Sequence, residues 1–225
     1  MKEIFKLITK SILAGVLIAL AGFVFLNVEN TIIGSFLFSF GLCLVIILEA
    51  NLFTGKVGYL SSKRDVLDLV IMLLINMITA TLVGVLFSST LSDEATAKTL
   101  EIIAKNYTDY TDGFLSLILN AIGCGICIYC AVEGYKKTHS FIPVILGVMV
   151  FIVAGFRHVI ADAFYYGVYL SDSSTILNVT VLEGICNLII FPMVLLLVAV
   201  GNAIGSISVR LLQKGWKMNE LSKSK

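Results

Sequence analysis

"FIVAGFRHVIADAFYYGVYL", residues Phe151–Leu170, is the stretch whose reading decides the fold. It is apolar enough to lie in a bilayer, yet Arg157, His158 and Asp162 interrupt it. Even lenient scales put a charged side chain at the centre of a membrane at a cost of ~3 kcal/mol. Such residues therefore face protein or a water-lined passage and not lipid. Gly155 and its polar neighbours predict that the helix is broken here.

The rest of the chain has the same solvent. Of its 225 residues, 58% are hydrophobic and 14% charged, where soluble domains carry about 25% charged residues. Mean hydropathy is +0.99. These values predict an all-α polytopic membrane protein whose partner is the lipid bilayer. A net charge of +1 argues against a nucleic-acid partner, which calls for a basic patch. No Gly-rich loop ending in Lys-Ser/Thr suggests ATP-driven pumping. Cys43, Cys124, Cys127, Cys130 and Cys186 all lie in apolar runs, and their odd number does not form a disulfide framework. The CxxCxxC run Cys124–Cys130 reads as small packing residues and not as a metal site. No cofactor or metal is implied. Lysines precede an apolar run at the amino terminus, and Ala19-Leu20-Ala21 resembles a signal-peptidase site. The apolar stretch continues past it, so an uncleaved first helix is expected.

A crossing helix needs about 20 apolar residues. Six segments qualify: Ser11–Leu26, Thr31–Ala50, Val66–Phe87, Phe114–Val132, Phe141–Tyr166 and an overlong Ile176–Val209 that contains Pro192, a candidate kink. Gly123/Gly125 and Gly201/Gly205 suit close helix packing in lipid. Of the 16 Lys and Arg, all but Lys98, Lys105 and Arg157 fall on one side of this arrangement. The positive-inside rule makes that side the cytoplasm and puts both termini there, as expected for a multi-pass protein of the cell's inner (plasma) membrane. A single domain follows: residues 1–10 cytoplasmic, 11–209 in the membrane, 210–225 a cytoplasmic tail. The external loop Ser88–Asp112 carries Asp93, Glu94, Glu101, Asp109 and Asp112, read as solvated surface, and Lys105, able to draw anions to an entrance.

The second and fifth crossings share an interruption. "NLFTGKVGYLSSKRD" (Asn51–Asp65) puts Thr54, Gly55 and Gly58 behind an apolar helix, as Gly155 sits within the fifth. The third and sixth also echo each other: "INMITATLVG" from Ile75 and "GNAIGSISV" from Gly201 both have an Asn followed by small residues. The echo falls in register in two three-helix halves, and an odd number of crossings per half inverts one relative to the other. Inverted repeats with interrupted helices point to a substrate site near the midplane, and the exposed peptide N–H groups at such breaks favour anions.

At these residues the chain resembles the formate/nitrite transporter family, which includes hydrosulfide channels. "FSFGLCLVIILEANLFTG", "NAIGCGICIYCA", "GFRHVIADAF" and "VGNAIGS" resemble four family motifs in the correct order. The resemblance implies a homopentamer in which each protomer has an aquaporin-like pore. It assigns the central histidine to His158, a threonine to Thr54 and pore-lining asparagines to Asn120 and Asn202. It implies an outer constriction of Phe38 and Phe151, an inner one of Leu42, Leu52 and Phe53, and an external lysine at Lys105. The chain is a divergent member: Arg157 stands where the family usually has Glu, Asp162 where it has Asn, Asn51 for another Glu and Ser206 for a Gly. An Arg157–Asp162 or Arg157–Glu183 pair is the expected structural reading of the exchange. The functional one is a higher local positive potential that favours anions.

An apolar passage rejects a bare anion, which loses its hydration for little return. Histidine can donate a proton or a hydrogen bond, and Thr54, Asn120 and Asn202 supply further polar groups. The expected function is a channel or transporter for small monovalent anions of weak acids (formate, nitrite or hydrosulfide) together with protons. The residue types do not choose among these anions, nor between passive flow and proton symport. Two alternatives stand beside it: a channel for neutral solutes such as water, glycerol or ammonia, and an intramembrane enzyme using His158 with Asp162 or Glu183. No nucleophile is placed beside the histidine, so an enzyme is not expected.

Overall fold

The computed structural model describes residues 2–112, 114–171 and 181–223, without the side chains of residues 63, 107, 181–188 and 216–223. All regular structure among the described residues is helical: α1 Lys2–Leu26, α2 Thr31–Ile47, α3 Phe53–Lys56, α4 Lys63–Phe87, α5 Asp93–Thr111, α6 Leu115–Thr138, α7 Ile142–Val153, α8 Val159–Ser171 and α9 Val181–Lys223. Four of them are long and apolar enough to cross a membrane, in α1, α4, α6 and α9, while α2 and α7 are apolar but shorter.

Local chemistry sets the boundaries. Asn30 caps α2 by accepting from the Ile32 and Ile33 amides, and Ser62 with Asp65 forms a reciprocal capping box at α4. Pro143 lies in the first turn of α7, where its missing N–H costs nothing. Helix α9 runs through Pro192. The expected sixth crossing, Ile176–Val209, begins outside the described residues.

Helix α1 packs on α2 and α4, α4 on α8, α6 on α7 and α9, and α2 on α7. Glycine makes the tightest seams possible. A Cβ on Gly84 or Gly167 would strike the facing backbone across the α4–α8 contact, and one on Gly125 or Gly205 would do so across α6–α9. Small residues let helices approach this closely where lipid supplies no hydrophobic drive. Large apolar side chains such as Phe36, Phe40, Leu67, Ile78 and Leu86 point outward.

Ser88–Asp112, read from sequence as an external loop, is mostly the 19-residue helix α5. Ser92 caps it and Asp93 and Glu94 occupy its first turn, where the helix dipole favours acids. Its buried residues, Ala95, Thr99, Ile103 and Asn106, recur at helical spacing and form one face. Lys98 anchors it by donating to the carbonyls of Phe25 (2.8 Å) and Val28 (3.0 Å), with its ammonium 3.8 Å from the Phe25 ring centroid. Burial lowers the Lys98 pKa from the ordinary lysine value. Helix α5 then packs against α6 and α8.

Candidate functional site

Two five-residue interruptions meet inside the bundle, one between α2 and α3, the other between α7 and α8. In the first, Glu49 takes a left-handed φ of 48° and the Asn51 amide donates to the Lys10 carbonyl at 2.9 Å. In the second, Gly155 turns the chain at φ 71°, a conformation glycine adopts without penalty. The Arg157 amide there donates to the Asn120 carbonyl at 3.3 Å.

A buried asparagine fastens each interruption. Asn76 donates to the carbonyls of Ser11 (2.7 Å) and Asn51 (3.0 Å) and accepts from the Phe53 amide (2.9 Å). Asn202 donates to those of Ala121 and Arg157 (both 2.8 Å) and accepts from the Val159 amide (3.1 Å). Non-helical backbone at membrane depth must have its polar groups satisfied by protein, and these amides do so. Ser206 also donates to the Gly125 carbonyl at 3.0 Å.

Between the interruptions, Thr54 Oγ1 and His158 Nε2 are 2.9 Å apart. Both side chains are buried. The Ala161 amide donates to His158 Nδ1 at 3.2 Å. Since Nδ1 accepts, the proton of the neutral ring sits on Nε2 and is donated to Thr54. The Thr54 hydroxyl hydrogen is then free to turn toward another acceptor.

Aromatic rings wall one side. Phe151 stacks on the imidazole with centroids 5.7 Å apart and planes at 21°, and Phe38 meets Phe151 edge-on at 6.0 Å. Beside the first interruption lies a cavity of about 650 Å3, lined by Leu42, Leu52 and Gly55, then by Lys10, Lys56 and Lys136 together with Glu49, Asp65 and Asp68. Neither Thr54 nor His158 lines it. Phe53 is buried nearby and does not line the cavity either. The Asn120 side chain is half-buried, and the polar atoms of Asn202 are already engaged with backbone.

The charge arrangement differs from expectation. Arg157 lies 3.8 Å from Asp109 on α5, not within ion-pair distance of Asp162. Glu183, the other expected partner, has a side chain outside the described residues. Asp162, one turn into α8, instead lies by the Asn106 side chain of α5 and feels Arg157 at longer range. Asp109 and Asn106, three residues apart on α5, thus face the second interruption together. Lys105 is exposed, but its ammonium lies 3.7 Å from where a Gly155 Cβ would stand. Sequence alone hides Asp109 and Asn106, because the acidic segment reads as a solvated loop. The three- and four-residue spacing of its buried residues is the available signal. Asn76 carried one too, the echo between "INMITATLVG" and "GNAIGSISV".

Two interrupted segments of an apolar helical bundle thus meet at one buried imidazole, an arrangement that membrane transport folds with broken helices share. The chain belongs to the formate/nitrite transporter family, whose sequence model matches residues 1–214. No curated protein matches it. Among solved structures it is similar to a "Pentameric formate channel with formate bound", with a TM-score of 0.77 at 20% identity over 97% of this chain and 98% of that one. It is also similar to an "FNT family ion channel", with a TM-score of 0.75 at 19% identity over 95% and 90%. The relatives are channels and transporters, not enzymes.

Proposed function

We propose that this protein conducts small monovalent anions of weak acids, formate above all, across the membrane past His158. The observation that carries the reading is the buried 2.9 Å contact between Thr54 and His158, made between two interrupted helices. In this reading the chain crosses the membrane six times as two inverted three-helix repeats, with the second and fifth crossings broken. Both termini lie in the cytoplasm of an inner-membrane protein in this reading, an orientation that the distribution of Lys and Arg supports.

The mechanism follows from desolvation. An anion entering between Phe38 and Phe151 loses water that these rings do not replace. The Nε2–H of His158 and the freed Thr54 hydroxyl both lie where that charge needs a donor. A hydrogen bond from the Thr54 hydroxyl, or from the Nε2–H once it turns from Thr54, offsets part of the lost hydration, and a proton taken up with the anion from the outer solution neutralises it. The Leu42, Leu52 and Phe53 side chains hold back water and hydrated ions on the cytoplasmic side. Neutralised guests then leave into the wider polar cavity, lined by Lys10, Lys56 and Lys136 and by Glu49, Asp65 and Asp68, where they ionise again. The outward-facing apolar side chains suit contact with lipid and with other copies in a homopentamer, the assembly named for the related formate channel.

Purified protein in liposomes should take up formate, nitrite and hydrosulfide faster as external pH falls, with little passage of glycerol. Rapid glycerol or water flux with no anion flux would replace this reading by a neutral-solute channel.

A further inference from the structure

The two interruptions are held by the same set of bonds. Each clamp asparagine is fully buried. Each donates once to a neighbouring long helix, at Ser11 or Ala121, and once to the residue two before the amide it accepts from. Each is approached by a glycine that lets the backbones close: Gly15 beside the Asn76 carbonyl and Gly125 beside that of Asn202. Aligning the bonds aligns the residues. Asn51 corresponds to Arg157, Leu52 to His158, Phe53 to Val159 and Thr54 to Ile160.

The site is therefore not made from equivalent positions. The imidazole stands at the position between the clamped carbonyl and the clamped amide in one frame. The threonine stands two residues further along in the other. Their 2.9 Å contact exists only if both frames are held in register at once, and a shift of about 1 Å in either takes it out of hydrogen-bond range.

We propose that Asn76 is a positioning residue of the transport site, setting where Thr54 meets His158 as fully as Asn202 sets His158 itself. Its hydrogen bonds go to backbone and not to either side chain. It acts through the Phe53 amide and the Asn51 carbonyl, the two groups that fix the start of α3. This rests on the transport reading above, and the test separates the two.

The chain has two histidines, and the other, His139, caps the far end of α6. Ring-nitrogen resonances of 15N-histidine-labelled protein therefore report on His158 with an internal reference and without substrate. Asn76→Ala should move the His158 Nε2 resonance in the direction that Thr54→Val moves it, and leave His139 unchanged. Formate uptake in liposomes should fall about tenfold or more, through maximal rate more than through KM. Asn76→Asp keeps an oxygen for the Phe53 amide and should lie between Asn76→Ala and wild type in both readouts. A wild-type His158 resonance in folded Asn76→Ala protein overturns the proposal. So does loss of folding in both variants, which makes Asn76 a structural residue only. If wild-type protein carries no anion while the resonance moves as stated, the transport reading fails and the positioning role stands.

Discussion

The interruption after α2 and the interruption after α7 have the same length and the same asparagine clamp, yet opposite contents. The first carries Asn51 and Leu52 and opens toward a cavity lined by Lys10, Lys56 and Lys136. The second carries Arg157 and His158 and is covered by α5 through Asp109. The frame is a solution to one problem, satisfying broken backbone in a low-dielectric medium. The chemistry is set by which side chains fill the frame. Leucine in one frame and histidine in the other turn two like frames into a single asymmetric centre.

The comparison breaks most completely at His158. Replacing it with alanine removes the ring donor and is expected to lower formate flux by about 100-fold, the cost of losing a general acid or comparable donor. The equivalent change in the other frame, Leu52→Ala, should leave the pH response of uptake in place while letting more water through. Flux assays with and without an osmotic gradient check both.

Next comes the charge that distinguishes the second interruption. Arg157 and Asp109 have side chains only 7% and 14% exposed, and removing one partner of a buried pair leaves the other charge stranded. Asp109→Asn should destabilise the protein by about 2 kcal/mol, less than for a fully buried pair because the contact is 3.8 Å and its rim is wet. Thermal melting in detergent measures it, and the double exchange Asp109→Arg with Arg157→Asp should recover part of the loss. Asn51→Ala in the first interruption removes no charge and should cost less.

Backbone geometry gives a smaller contrast. Gly155→Ala puts a side chain at φ 71° and should cost about 1–2 kcal/mol in melting stability. Glu49 already bears that strain in the first interruption at φ 48°, so Glu49→Gly should stabilise slightly. Smallest is Lys98→Met, which loses two hydrogen bonds to carbonyls and a ring contact. It should raise proteolysis within α5 by a few-fold while leaving the core melt nearly unchanged.

Much of this was readable from the residues. Apolar runs gave the long helices, the polar residues inside Phe151–Leu170 marked a site, and Thr54 and His158, assigned to it by resemblance, lie side by side. The partner of Arg157 was not readable. Choosing Asp162 used sequence distance, whereas the ion pair comes from α5, more than forty residues earlier. Acidic composition hid that helix, because Asp109 and Asp112 look alike in a string but only one faces the bundle. The Asn202 side chain is assigned to the pore lining by resemblance. That side chain is spent on backbone groups, a consequence of the break that composition does not reveal.

The central claim is that His158, joined to Thr54 in a dry centre, relieves the charge of a passing anion. The most direct measurement is formate uptake into liposomes at two external pH values, for wild type and His158→Ala at equal protein density. The account predicts faster uptake at the lower pH for wild type and a flat, slow response for the variant. Equal rates and equal pH dependence in the two proteins would contradict it.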